Sequence, residues 1–188
     1  RYKTVKIGNQ VWMAENLKST QYNDGTPIPE LQDDNVWRNA NGPGYCWYNN
    51  DRENLGKIHG ALYNGYVLYS DPQKNVCPQG WHVPTQPEWQ IFINTIADNG
   101  KLYPKNDTLW TIPYPEDTDE YGFTALPSGQ RATQGIFLQL GGIAFWHLKN
   151  TSEDTFSVYW GIWTQDPLST LFGGAQSQEG FSIRCIRD

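Results

Sequence analysis

The chain has 188 residues, of which 14% are aromatic and only 18% charged. That length fits one domain, or at most two small ones, and allows a core that needs no metal to fold. The net charge of −6 argues against nucleic acid or anionic membrane as a partner, and no apolar run approaches the length of a membrane span. The chain opens on Arg1-Tyr2-Lys3 with no initiator methionine or signal peptide, and so reads as mature or trimmed. Nine tryptophans and eleven tyrosines predict a β-rich core filled with rings, with some rings left to line a sugar or peptide surface.

Residues 4–7 and 10–13 flank Gly8-Asn9, the pattern of a β-hairpin. Residues 20–44, rich in Asn, Asp, Gly and Pro, read as a long ordered loop, and 45–48 as a short aromatic strand stopped by Asn49-Asn50-Asp51. Leu62, Tyr63, Tyr66 and Val67 space like a short helix, against the presence of Gly60 and Gly65. The stretch Cys77–Trp89 carries the densest local information. Pro78-Gln79-Gly80 suits a turn, Thr85 and Glu88 form a capping box, and Pro87 falls in the first helical turn. Trp89, Phe92, Ile93 and Ile96 then repeat at i, i+3, i+4, i+7, which predicts a helix over 86–98 with Gly100 as its stop. Residues 103–120 are polar and end in an acidic loop, followed by strand candidates at 121–126, 135–138, 143–147, 156–164 and 180–187. A main helix followed by short strands predicts an α+β fold with antiparallel sheet, organised as a single domain over 1–188.

Three cysteines suggest one bridge and one spare thiol in an exported protein. Cys77 and Cys185 both flank predicted strands in matched turn-strand contexts and form the candidate pair. Cys46 is then left over and reads as a small buried hydrophobe. The histidines are His59, His82 and His147, and none sits in a zinc motif; phosphate-loop and Cys-x-x-Cys patterns are also missing, so no enzymatic activity is expected. A glycosidase carboxylate pair is defined by distance in space, and no pair recommends itself here. Asp117, Asp119 and Glu120, and separately Asn49, Asn50 and Asp51, offer oxygen ligands for calcium, against the alternative of solvated loops. No other cofactor is expected.

The binding surface is sought within 146–179, where Trp146, His147, Tyr159, Trp163, Gln165 and Asp166 put rings and polar groups near predicted loops. Flat rings stack on sugar faces, and amides or carboxylates fix hydroxyls. Strand alternation places Phe156, Val158, Trp160 and Ile162 on one face and Tyr159, Gly161 and Trp163 on the other. Trp160 therefore reads as buried and Trp163 as the exposed ligand contact.

Taken in order, Thr4–Leu17, Tyr45–Asp51, Gly60–Tyr63, Cys77–Trp89, Tyr121–Gly129 and Gly180–Asp188 resemble the Fibrobacter succinogenes major paralogous domain, a family of exported bacterial surface proteins. The resemblance spans nearly the whole chain. The stretch from Trp81 to Trp89 and the ending Gly180-Phe181-Ser182-Ile183-Arg184-Cys185 also look like the wider C-type-lectin-like group. That group includes formylglycine-generating enzymes and the variable receptors of diversity-generating retroelements. The resemblance implies a C-type-lectin-like fold with adjacent termini, the first hairpin paired with the last strand, and the helix after Thr85 packed on the sheet. It also implies a ligand face in the C-terminal loops and an extracellular or cell-surface location, with lipid anchoring through a segment outside this sequence.

Three departures bear on function. Formylglycine-generating enzymes use a cysteine pair in the C-terminal half, whereas this chain has no cysteine between Cys77 and Cys185. Sugar-binding lectins use Glu-Pro-Asn or Gln-Pro-Asp, and the nearest sequence here, Gln165-Asp166-Pro167, has the order changed, so calcium-mediated sugar binding is not expected. Some family members carry a second cysteine near position 55, where this chain has Leu55, leaving Cys46 without a local partner. The expected function is a non-catalytic surface module that binds glycan or protein through 146–179. The alternatives are a retroelement-diversified receptor of the same fold, and a polysaccharide-active hydrolase using loop carboxylates.

Overall fold

The computed structural model describes residues 1–104, 108–112, 118–150, 157–163 and 166–188. The strands are β1 (Thr4–Ile7), β2 (Gln10–Met13), β3 (Tyr45–Trp47), β4 (Ala61–Asn64), β5 (Trp81–His82), β6 (Gln130–Arg131), β7 (Phe137–Leu138), β8 (Ile143–Leu148), β9 (Ser157–Trp163), β10 (Asp166–Ala175), β11 (Gly180–Phe181) and β12 (Ile186–Arg187). They form sheets ordered β1-β2-β12-β5, β3-β4-β11-β6-β7 and β10-β9-β8, with antiparallel pairing between neighbours. Mixed helix and antiparallel sheet is the class the element pattern predicts.

The first hairpin forms in the expected register, Thr4 opposite Met13 and Ile7 opposite Gln10, with Gly8 at φ +58° in the turn. The last strand inserts beside it: Ile186 pairs with Trp12 on one side and His82 on the other. The run 180–187 is two strands rather than one, because it changes sheets on the way. Gly180 pairs with Asn64 and Arg131 in the five-stranded sheet, and Ile186 belongs to the four-stranded one. Between them the Ile183 and Cys185 carbonyls accept from the Leu17 and Met13 N–H groups.

The main helix spans Gln86–Ile96. Glu88 accepts from the Thr85 backbone N–H at 2.8 Å and from the Thr85 hydroxyl at 2.7 Å, the carboxylate half of the expected capping box. The helix stops earlier than Gly100, on Ala97, which takes the left-handed conformation at φ 57°. Trp89, Phe92 and Ile96 are buried, and they meet Trp12, Phe123, Trp146 and Trp160 in an aromatic core. The Trp89 ring lies 5.1 Å from Trp12, 5.8 Å from Trp146 and 5.0 Å from Trp160. Of the nine tryptophans, all but Trp81 and Trp163 are buried. Most of the rings therefore build the interior.

Four local expectations change. Residues 61–64 form strand rather than helix, because all four are buried between β3 and β11; the helical turn starts only at Tyr66. The long loop 20–44 contains a short helix, Asp34–Arg38, capped by the Asp33 carboxylate on the Asn35 and Val36 N–H groups. Residues 121–126 form no strand, since Gly122 and Thr124 hold φ of 66° and 54°, outside extended geometry. Conversely, β10 forms across Pro167 and Gly173-Gly174. It is an edge strand with a register shift between Asp166 and Thr170, a setting that tolerates such residues.

Cys77 and Cys185 are bridged, with Cα atoms 6.0 Å apart across a sequence separation of 108 residues. The chain-entropy account assigns a loop of that length about 4–5 kcal/mol. Cys46 is free and buried beside Trp37, Tyr48 and Leu62, and its burial pushes the thiol pKa up to about 12. Among the described residues no helix is long and apolar enough to cross a membrane.

Candidate functional site

The sheet β10-β9-β8 has two different faces. Val158, Trp160 and Ile162 of β9 join the aromatic core, as alternation requires. Tyr159 and Trp163 emerge on the other face, half-buried, with Leu171 of β10 beside them. Four positions along one strand set these residues about 13 Å apart. Phe145 and Phe181, both buried, form the floor: the Tyr159 ring lies 5.2 Å from each. Gly161 separates Tyr159 from Trp163, and a Cβ there would overlap the Phe145 ring. The result is an aromatic ledge held by packing on a regular strand, with little rotamer freedom for its rings.

Trp146 and His147 do not belong to this surface. Both are fully buried, because β8 is covered on both faces, and so neither is open to a ligand as expected. Trp146 lies against Trp160 and donates its indole N–H to Asn16 Oδ1 at 2.9 Å. His147 Nε2 is 2.7 Å from the Tyr63 carbonyl, which makes it the donor, and burial pushes the imidazole pKa down to about 4. Gln165 lies outside the described residues. Asp166 opens β10 opposite Trp163.

Of the calcium candidates in the acidic loop, Asp119 and Glu120 are described. Asp119 accepts from the Thr124 N–H at 2.8 Å and hydroxyl at 2.7 Å, and Glu120 pairs with Lys101 at 3.1 Å. Asp117 lies outside the described residues. Asp51 is engaged with Asn54. Among the described residues no group of three His, Cys, Asp or Glu is placed to hold a metal ion.

One aromatic in the expected segment escaped the sequence reading. Phe172 of β10 sits opposite Trp160 and is 49% exposed. It borders a cleft of about 240 Å³ lined also by Gln86, Trp89, Gln90 and Ile93 of the main helix, and by Leu148 and Trp160. Its flanking Gly173-Gly174 hid the strand that carries it.

The dispersed sequence motifs meet in one buried knot. Asn16 donates to the His59 carbonyl, the Ser128 hydroxyl and the Ser182 hydroxyl at 2.9, 3.0 and 3.3 Å, and accepts from Trp146 and Arg184. Residues drawn from the first, fifth and last motifs are thus joined at a single side chain. The family model described as the Fibrobacter succinogenes major domain matches residues 5–187. The chain belongs to this family. No curated protein and no solved structure matches it.

In this Fibrobacter succinogenes major domain the Trp81–Trp89 motif builds a polar clasp. His82 Nδ1 lies 2.6 Å from Asp188 Oδ1, and Nε2 lies 2.9 Å from Glu88 Oε1. Ionised carboxylates only accept, so the protonated ring, donating from both nitrogens, is the form these two partners favour. Partial burial works against that charge, but the hydrogen bonds and charges of Asp188 and Glu88 outweigh it and raise the His82 pKa. The clasp ties the chain end after the last strand to the helix N-terminus.

Proposed function

We propose that this domain is a non-catalytic binding module of C-type-lectin-like type, working at the bacterial cell surface and recognising a glycan or protein through the outer face of β10-β9-β8. The observation that carries the reading is the pair Tyr159 and Trp163, half-exposed on one strand face above Phe145 and Phe181. Rigid rings at this spacing offer C–H stacking to sugar faces at small entropic cost, and a glycan is the ligand whose chemistry fits them most closely. Export is supported by the Cys77–Cys185 bridge, a linkage that persists in oxidising compartments. The C-type-lectin-like assignment is supported by the last strand inserted between the first hairpin and β5, and by the main helix packed under it. Binding of the intact domain to a glycan array, compared with a Tyr159→Ala/Trp163→Ala variant of equal thermal stability, tests the proposal. Loss of signal in the variant supports it, and equal signal removes the ledge as the binding face.

A further inference from the structure

The exposure of Phe172 is at odds with its place in the sheet. Register puts it opposite Trp160, on the face that turns towards the main helix. Its neighbours on that face, Trp160 and Trp146, are buried, yet Phe172 stays 49% exposed. Its strand is the sheet edge, and between it and the first turns of the helix lies the cleft of about 240 Å³.

The walls of this cleft define a ligand chemistry. Trp89, Trp160 and Leu148 close one side, Ile93 and the Phe172 ring add further apolar surface, and Gln86 and Gln90 supply primary amides. Both glutamines are exposed. Gln90 Nε2 donates to Asn94 Oδ1 at 3.0 Å, which leaves its carbonyl oxygen for another donor. The Gln86 amide has no side-chain partner among the described residues. Among the described residues no charged side chain lines the cleft, and Glu88, on the same helix, is turned to Thr85 and His82. A ring face with two amides and no charge matches the alternating C–H faces and hydroxyls of a neutral sugar, and discriminates against an ionic ligand. The volume falls below the roughly 300–1,000 Å³ of sites for drug-sized molecules, which sets the occupant at one ring.

We propose that the Phe172–Gln86–Gln90 cleft is a binding site for a single neutral pyranose, taken as the end or a side branch of a glycan. It lies on the opposite face of the sheet from Tyr159 and Trp163 and does not rest on the ledge reading. The test is a titration of the isotope-labelled domain with methyl β-glucopyranoside, methyl β-galactopyranoside and methyl α-mannopyranoside into the millimolar range, followed by NMR. At least one of these should saturably shift the Gln86 and Gln90 side-chain amides and the Phe172 backbone amide. Phe172→Ala should weaken that response by about tenfold, as should Gln86→Ala/Gln90→Ala, while Trp163→Ala leaves it unchanged. All altered side chains are at least partly exposed, so the fold is retained, and the unchanged remainder of the spectrum checks this. Four results would overturn the proposal: no response to any of the three sugars; a response that survives Phe172→Ala; shifts confined to the Tyr159 and Trp163 ledge; or sugar-independent shifts of the cleft that grow with protein concentration, which would make a second copy of the chain the occupant.

Discussion

Asn16 Oδ1 accepts two hydrogen bonds from Arg184, at 3.1 Å from Nε and 2.7 Å from Nη2. The guanidinium is fully buried, and its remaining hydrogen bonds go to the Phe123 and Thr124 carbonyls. It lies 4.2 Å from the Phe123 ring and 5.5 Å from the Trp146 ring. Dipoles and ring faces, rather than a carboxylate in direct contact, therefore hold this charge among the described residues. Burial pushes the Arg184 pKa down to about 9, which leaves it charged at neutral pH. Asn16→Ala removes the acceptor and leaves a buried cation short of partners. The expected loss is about 3–5 kcal/mol in a urea unfolding series. A loss under about 0.5 kcal/mol, the range of ordinary surface changes, would show that the knot does not hold the core.

Alkylation of the unfolded but unreduced protein should label one thiol, Cys46, and all three cysteines after reduction. Cys77→Ala/Cys185→Ala should lower stability by up to about 4–5 kcal/mol, the value the loop-closure account gives. Labelling of three thiols before reduction would remove the bridge from the account.

Ala97 ends the main helix at φ 57° and is exposed. A glycine adopts that conformation without the Cβ penalty. Ala97→Gly should therefore raise stability by about 0.5–1 kcal/mol, visible as a higher melting temperature. A lower melting temperature would contradict the left-handed cap.

Two histidines give the stability curve opposite slopes. His147 is held neutral, with a pKa of about 4 against an ordinary value of 6.5. The unfolded chain binds that proton first, so stability is full above pH 6.5 and falls as pH drops towards 4. The shift corresponds to about 3 kcal/mol at most. For His82 the folded pKa is raised, so its contribution is present below the unfolded value of 6.5 and is lost as pH rises through the folded value. Unfolding midpoints across this range should show His147→Gln flattening the acid arm and His82→Gln flattening the neutral one. An acid arm unchanged by His147→Gln would contradict the buried neutral ring.

What was legible in the sequence depended on local rules. The Gly8-Asn9 turn, the Thr85–Glu88 cap and the i, i+3, i+4, i+7 repeat from Trp89 each act within a few residues, and the hairpin and helix followed from them. Alternation placed Trp160 inside and Trp163 outside, because β9 separates two distinct environments. The same rule could not place Trp146 and His147, since β8 is buried on both faces and alternation is silent there. Phe172 was hidden by flanking residues that disfavour strands except at an edge. The role of Asn16 was not visible because its partners come from positions as distant as Ser128, Trp146 and Arg184.

The central claim is that the Tyr159–Trp163 ledge binds ligand. The most direct measurement is glycan-array binding of the intact domain beside Tyr159→Ala/Trp163→Ala. The account predicts selective binding by the native domain and about a tenfold or greater loss in the variant, at unchanged melting temperature. No glycan bound by the native domain, or equal binding by both proteins, would contradict it.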